Sequence, residues 1–144
     1  MALIEVGLIQ TDETNLGNIK AHLRNRVDGD AECQRLRYIT GGATKAMEYI
    51  EAKDQALAVQ QMGEAAASAL ADSGAAQYPV LAASVPLEAP TLWAAAQLII
   101  SRYEAYMTIG GRIKRAAVEA KKAIADAPDA AAAKAAYEAV QWPS

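Results

Sequence analysis

Proton transfer and metal binding need polar groups gathered at defined spacings, and this 144-residue sequence offers few. His22 is the only histidine and Cys33 the only cysteine. Histidine is a common general base, but His22 has no nucleophile or carboxylate at an obvious spacing. A structural zinc ion takes four Cys or His ligands, which one of each cannot supply. A single thiol also excludes an intramolecular disulfide and fits a reducing compartment, with Cys33 expected as a small buried or half-buried side chain. Glu48/Glu51 and Glu51/Asp54 lie at helical spacing, but the Glu-x-x-His element of di-iron bundles is missing, so they read as a solvated face. Gly41-Gly42 precedes a helix start with Lys45 near by, where free N–H groups can cradle an anion. The full Gly-x-x-x-x-Gly-Lys-Ser/Thr phosphate loop is missing, and a plain turn is expected. No catalytic, cofactor-binding or metal-binding residue is assigned, and the chain reads as a non-enzyme.

Two basic clusters stand out: Arg24, Arg26, Arg35 and Arg37, and then Arg112, Lys114, Arg115, Lys121 and Lys122. The second is spaced for ion pairs along one helix, as in Arg115, Glu119 and Lys122. With a net charge of −3 and a pI near 5.2, these read as helix faces or an interface rim, and the balance argues against nucleic-acid binding. Met1–Gln10 lacks the basic start and apolar run of a secretory signal, and no stretch nears the ~20 apolar residues of a membrane span. The expectation is synthesis in the cytoplasm and no membrane partner.

The elements that would position any site are mainly helical. Alanine fills 35 of the 144 positions and phenylalanine none, and alanine is the best intrinsic helix former. Alanine faces also bury little apolar area, so such helices gain stability by packing on other chains, and a homo-oligomer is expected. Ala2–Gln10, with Leu3, Ile4, Val6 and Leu8, reads as a short strand or extended arm that must pair with a partner's edge or lie on the helices. Leu16, Ile19, Leu23 and Val27 mark a short helix over Asn15–Val27, which Asp28-Gly29-Asp30 closes as a turn. Ala31–Ile39 reads as a further short helix or irregular segment.

After the Gly41-Gly42 break, Thr44 is the expected N-cap of a first long helix reaching about Ala71. Met47, Ile50, Leu57 and Met62 mark its apolar stripe, continued by Ala65, Ala66, Ala69 and Leu70. Asp72-Ser73-Gly74 ends it. Tyr78-Pro79-Val80-Leu81 reads as a helix start with proline in the first turn, and Leu81, Val85 and Leu87 as the side chains that dock this connector.

A second long helix is expected from Thr91 to about Ala127, with a seam at Leu92, Ala96, Ile99, Tyr103, Tyr106, Gly110, Ile113, Ala117, Ala120 and Ile124. Those steps alternate four and three, the heptad seam of a left-handed coiled coil. Gly110-Gly111 in mid-helix implies a bend or, as expected here, another backbone packed close. A last helix over Ala130–Val140 follows Pro128-Asp129, with Tyr137 and Val140 folding back. The tyrosines and tryptophans read as core or interface anchors. The architecture expected is mainly α, a long antiparallel helical hairpin or bundle with a short N-terminal strand or arm. It divides into an arm over 1–40 and an alanine-rich hairpin over 41–144. The interface residues expected are Leu3, Ile4, Val6 and Leu8 on the arm and Ile99, Tyr103, Tyr106, Gly110, Ile113, Ala117 and Ala120 on the seam.

The order of several segments carries a resemblance. Leu36-Arg37-Tyr38-Ile39-Thr40-Gly41-Gly42-Ala43 and Ala46-Met47-Glu48-Tyr49 come first, then Tyr78-Pro79-Val80-Leu81-Ala82-Ala83. Arg112-Ile113, Ala120-Lys121-Lys122-Ala123-Ile124 and a terminal Trp142-Pro143 follow. From Leu36 to Ser144 the chain resembles small helical tail- and fibre-associated proteins of tailed phages and prophages. The resemblance implies a virion structural part (fibre, spike or tail-associated subunit) or a tail-fibre assembly chaperone, with other virion proteins as partners. It carries over no catalytic residue. A small ligand-binding helical bundle is the further alternative from composition.

Overall fold

The computed structural model describes residues 12–39, 41–70 and 73–144. Among the described residues 78% are helical and there is no strand. Ala2–Gln10, including Leu3, Ile4, Val6 and Leu8, lies outside them. The helices are α1 (Asp12–Arg35), α2 (Ala43–Met62), α3 (Glu64–Ser68), α4 (Ser73–Gln77), α5 (Pro79–Ala82), α6 (Leu92–Asp126) and α7 (Ala130–Glu138). They group into two compact units, residues 1–38 with 109–144 and residues 39–108. One boundary falls close to the division expected at residue 40. The other, at Thr108/Ile109, has no counterpart in the sequence reading and groups the C-terminal segment with the N-terminal helix.

In the first unit α1, the second half of α6 and α7 share a core of Leu23, Val27, Ala31, Ile113, Ile124 and Ala133, among others. The turn expected at Asp28-Gly29-Asp30 does not form, and α1 runs through it. Leu23, Val27 and Ala31 are four apart and all buried, so a continuous helix keeps them on one face. Both aspartates also find partners across the unit. Lys121 Nζ donates to Asp28 Oδ1 at 2.8 Å, and the Tyr137 hydroxyl donates to Asp30 Oδ2 at 2.6 Å. Tertiary packing here outweighs the turn preference of Asp-Gly. Asp129 caps α7 by accepting from the Ala132 N–H at 2.7 Å, and Tyr137, Val140 and Trp142 pack on this core as expected.

The second unit holds α2 to α5 and the first half of α6. Its core gathers Ala56, Val59, Ala67, Leu81, Ala95 and Ile100, among others. The expected first long helix is interrupted: Gly63 adopts φ +89 and separates α2 from α3, a conformation that glycine alone reaches without strain. Thr44 is not the N-cap. That position belongs to Gly42, at φ +113 and with no side-chain cap, so Thr44 lies inside the first turn. Gly74 is buried in α4, where an added Cβ would stand 3.1 Å from Leu92 Cδ2.

Gln55 supplies a connection the sequence did not announce. It is the buried polar residue of this unit, and its Oε1 accepts from the N–H groups of Val80 and Leu81, both at 3.1 Å. Those are orphan donors of the first turn of α5, whose preceding Tyr78 makes no side-chain cap; Pro79 has no N–H to satisfy. Glu51 in turn accepts from Gln55 Nε2 at 2.9 Å. A residue 25 positions from Val80 thus acts as the N-cap. Leu81 is buried beside this bond as expected, but Leu87 is 87% exposed and does not dock the connector.

The second long helix forms as read, over Leu92–Asp126. Thr91 Oγ1 accepts from the Ala94 N–H at 3.1 Å and closes its first turn. It passes through Gly110-Gly111 as helix. Nothing lies within 4 Å of a Cβ placed on Gly111, so the close backbone expected at the glycine pair is not found at that position.

Candidate interaction surface

The α6 seam meets two fates along its length. Ala96 is buried in the second unit's core and Ile99 packs beside it. Ile113, Ala117, Ala120 and Ile124 are buried in the first unit's core under α1 and α7 of the same chain. Between them Tyr106 and Gly110 are half-buried, and Tyr103 is exposed. Intrachain packing therefore occupies Ile113, Ala117 and Ala120, which the sequence offered as interface residues. The heptad spacing marked a seam, but spacing alone does not say whose helix fills it.

Of the stripe read on the first long helix, Met62 packs against the observed core, but Met47, Ile50 and Leu57 do not. Ala52, Gln55, Ala56 and Val59 face inward, whereas Met47 is 70%, Ile50 59% and Leu57 38% exposed. With about 100° per residue, the last three share the opposite side of α2 with Asp54 and Gln61. Residues 47, 50, 54, 57 and 61 alternate steps of three and four, a heptad seam facing away from the unit's own core. Ala52, Ala56 and Val59 pack inward and Met62 lies against the core, while Met47, Ile50 and Leu57 are left outside. Exposed apolar stripes of this kind mark association surfaces.

The residues with chemical potential are dispersed. His22 is exposed, and Cys33 is exposed rather than buried. Among the described residues no group of three or more His, Cys, Asp or Glu is placed to hold a metal ion. Glu48 accepts from Lys45 Nζ at 3.0 Å, and Asp54 pairs with Lys53 at 3.1 Å. The Lys45 ammonium also lies 5.4 Å from the centre of the Tyr49 ring. Its hydrogen bond to Glu48, and then the charge of that carboxylate, raise its pKa. Lys45, the cation nearest Gly41-Gly42, is thus engaged along its own helix.

Of the pairs the spacing indicated, Arg115 with Glu119 forms, whereas Lys122 turns to Asp126. Arg115 meets Glu119 at 2.8 Å and Lys122 meets Asp126 at 2.6 Å. Arg35 meets Glu32 at 3.4 Å, and Arg26 lies 4.6 Å over the Tyr137 ring. Tyr137 has its pKa raised, first by the hydrogen bond to Asp30, with partial burial and the Asp30 charge adding and Arg26 opposing. These groups tie turns and helices together within the chain. No described helix is long and apolar enough to cross a membrane. Comparison with family models, curated proteins and solved structures finds no match for this chain.

Proposed function

We propose that this chain is a non-enzymatic structural subunit that assembles through helical packing. The observation that carries the reading is the outward stripe of α2, where Met47, Ile50 and Leu57 stand in solvent while Ala52, Ala56 and Val59 take the inward face. Moving side chains of this size out of water stabilises association by about 25 cal/mol for each Å² of apolar surface buried. The arms of the hairpin expected from the sequence, α2 and α6, are the elements offered for assembly. Ala2–Gln10 acts as the attachment arm, an apolar segment suited to adding to a neighbour's edge. The resemblance to tail- and fibre-associated phage proteins sets the assembly in a virion, as a fibre, spike or tail-associated subunit.

The test is protein mass spectrometry of purified particles from cells expressing the chain together with its neighbouring genes. The subunit is expected in the particles at a fixed ratio, and removing residues 2–10 is expected to release it. Normal particles that never contain the chain would contradict the virion reading and favour an assembly chaperone that departs.

A further inference from the structure

We infer that the outward stripe of α2 docks on the outward stripe of the second half of α6 in another copy of this chain. The inference rests on the reading of the chain as an assembling subunit and names its partner. The receiving stripe is Gly111, Arg115, Val118, Lys122 and Ala125, all exposed. It lies on the side of α6 opposite the buried Ile113, Ala117, Ala120 and Ile124. Its steps alternate four and three, as do those of the α2 stripe, and at its centre Val118 is 56% exposed.

Charge decides the occupant. If two α2 helices paired in parallel, Asp54 would meet Asp54 inside the seam. If they paired antiparallel about residue 52, Glu51 would flank Glu51 and Lys53 would flank Lys53. Both arrangements set like charges together, which costs free energy at an interface. The pairing of α2 with α6 has the opposite character. With the helices parallel and residue 50 level with residue 118, Ile50 meets Val118 and Leu57 meets Ala125. Asp54 comes level with Lys122, and the flanking positions bring Glu51 to Lys114 and Lys53 to Asp126. Each of these contacts falls apolar on apolar or acid on base, in one register.

The wider charge distribution agrees. The unit of residues 39–108 carries three cations and seven anions, a net −4, and the other unit eleven and ten, a net +1. Lys122–Asp126 is a surface pair, and such pairs contribute little to stability; Lys53, half-buried and 5.3 Å from the Tyr103 ring centre, would also have to turn from Asp54 and that ring. Two different faces meeting in this way are satisfied either by a reciprocal two-fold exchange between two copies or by a ring or open chain.

Sedimentation velocity on the full chain tests this. The wild type is expected to associate as concentration rises, and a mass that stops at a dimer would identify the reciprocal exchange. Asp54→Lys and Lys122→Asp are each expected to weaken association more than about tenfold, with melting checked by circular dichroism. Mixing the two variants in equal amounts is expected to restore assembly, because the lysine introduced in one then faces the aspartate introduced in the other. Val118→Ser, which changes no charge, is expected to weaken association as well. If the wild type associates but the α6 variants leave it unchanged, the pairing is wrong while the subunit reading stands. A wild type that stays monomeric at every concentration overturns the pairing outright, and the particle experiment then decides the subunit reading separately.

Discussion

The two compact units fill their cores with similar mixtures of alanine and larger aliphatic side chains, and differ in what they leave outside. In the unit formed by α1, the second half of α6 and α7, the fully buried residues include Val27, Ile113 and Ile124, large aliphatic groups drawn from two helices. In the unit of α2 to α5 and the first half of α6, Val59, Leu81 and Ile100 are the large buried side chains. Alanines supply much of the rest, and Gln55 bridges α2 to α5 through two backbone hydrogen bonds. The second unit nevertheless contains Met47, Ile50, Leu57 and Leu87, all exposed. A unit that leaves these large apolar side chains outside gains less from its own core than its composition allows. The contrast makes the outer face of α2 the surface on which the proposed association is to be tested.

Mutations sharpen that contrast, beginning with the largest effect. Ile124→Ala should destabilise the first unit by about 2–5 kcal/mol, as large-to-small changes at buried sites do. Ile50→Ala, on the exposed stripe, should change the stability of the monomer by less than about 0.5 kcal/mol. Paired urea titrations check both, and equal losses would mean the α2 stripe is covered in the free chain. Next, Gln55→Leu should cost about 2–3 kcal/mol, because it keeps the volume but strands the Val80 and Leu81 N–H groups. A neutral outcome would show that α5 is held by Leu81 alone.

Tyr137→Phe should cost about 1–2 kcal/mol by removing the hydrogen bond to the Asp30 carboxylate. Its pH dependence has a definite sign. The folded-state pKa of Tyr137 is raised, chiefly by that hydrogen bond, so the stabilisation is whole below the ordinary tyrosine value of 10.0. It is lost as pH rises through the higher folded value. Melting curves at mildly and strongly alkaline pH should therefore converge for wild type and Tyr137→Phe only at the higher pH. Smallest of all, Gly111→Ala should stabilise by about 0.5–1 kcal/mol, since the site is helical and an added methyl group meets nothing. A loss instead would reveal a close contact at Gly111.

The legible parts of the sequence were those where one signal dominated. α6 was readable end to end because Thr91 opens it, a four-three seam runs along it and Pro128 follows. α7 was readable from Asp129 and the alanine run after it. The length of α1 was hidden, because Asp28-Gly29-Asp30 carries turn chemistry and the partners that overrule it, Lys121 and Tyr137, lie far along the chain. The inner face of α2 was hidden for a different reason: a stripe of large apolar residues is the usual mark of a core, and here Ala52, Ala56 and Val59 take that role. Gly63 was the available signal for the break in the first long helix. The candidate surface was therefore visible as residues, since Met47, Ile50 and Leu57 are conspicuous, but not as a surface. Only the burial of Ala52, Ala56 and Val59 shows which way α2 is turned.

The central claim, that the outer face of α2 is an association surface, is tested most directly by the native mass of the chain across a wide concentration range, wild type against Met47→Ser/Ile50→Ser/Leu57→Ser. The wild type should rise with concentration above the 15.2 kDa of one chain. The triple variant should stay at that mass with an unchanged helical signal. A wild type that remains at one chain's mass throughout, or a variant that associates as the wild type does, would contradict it.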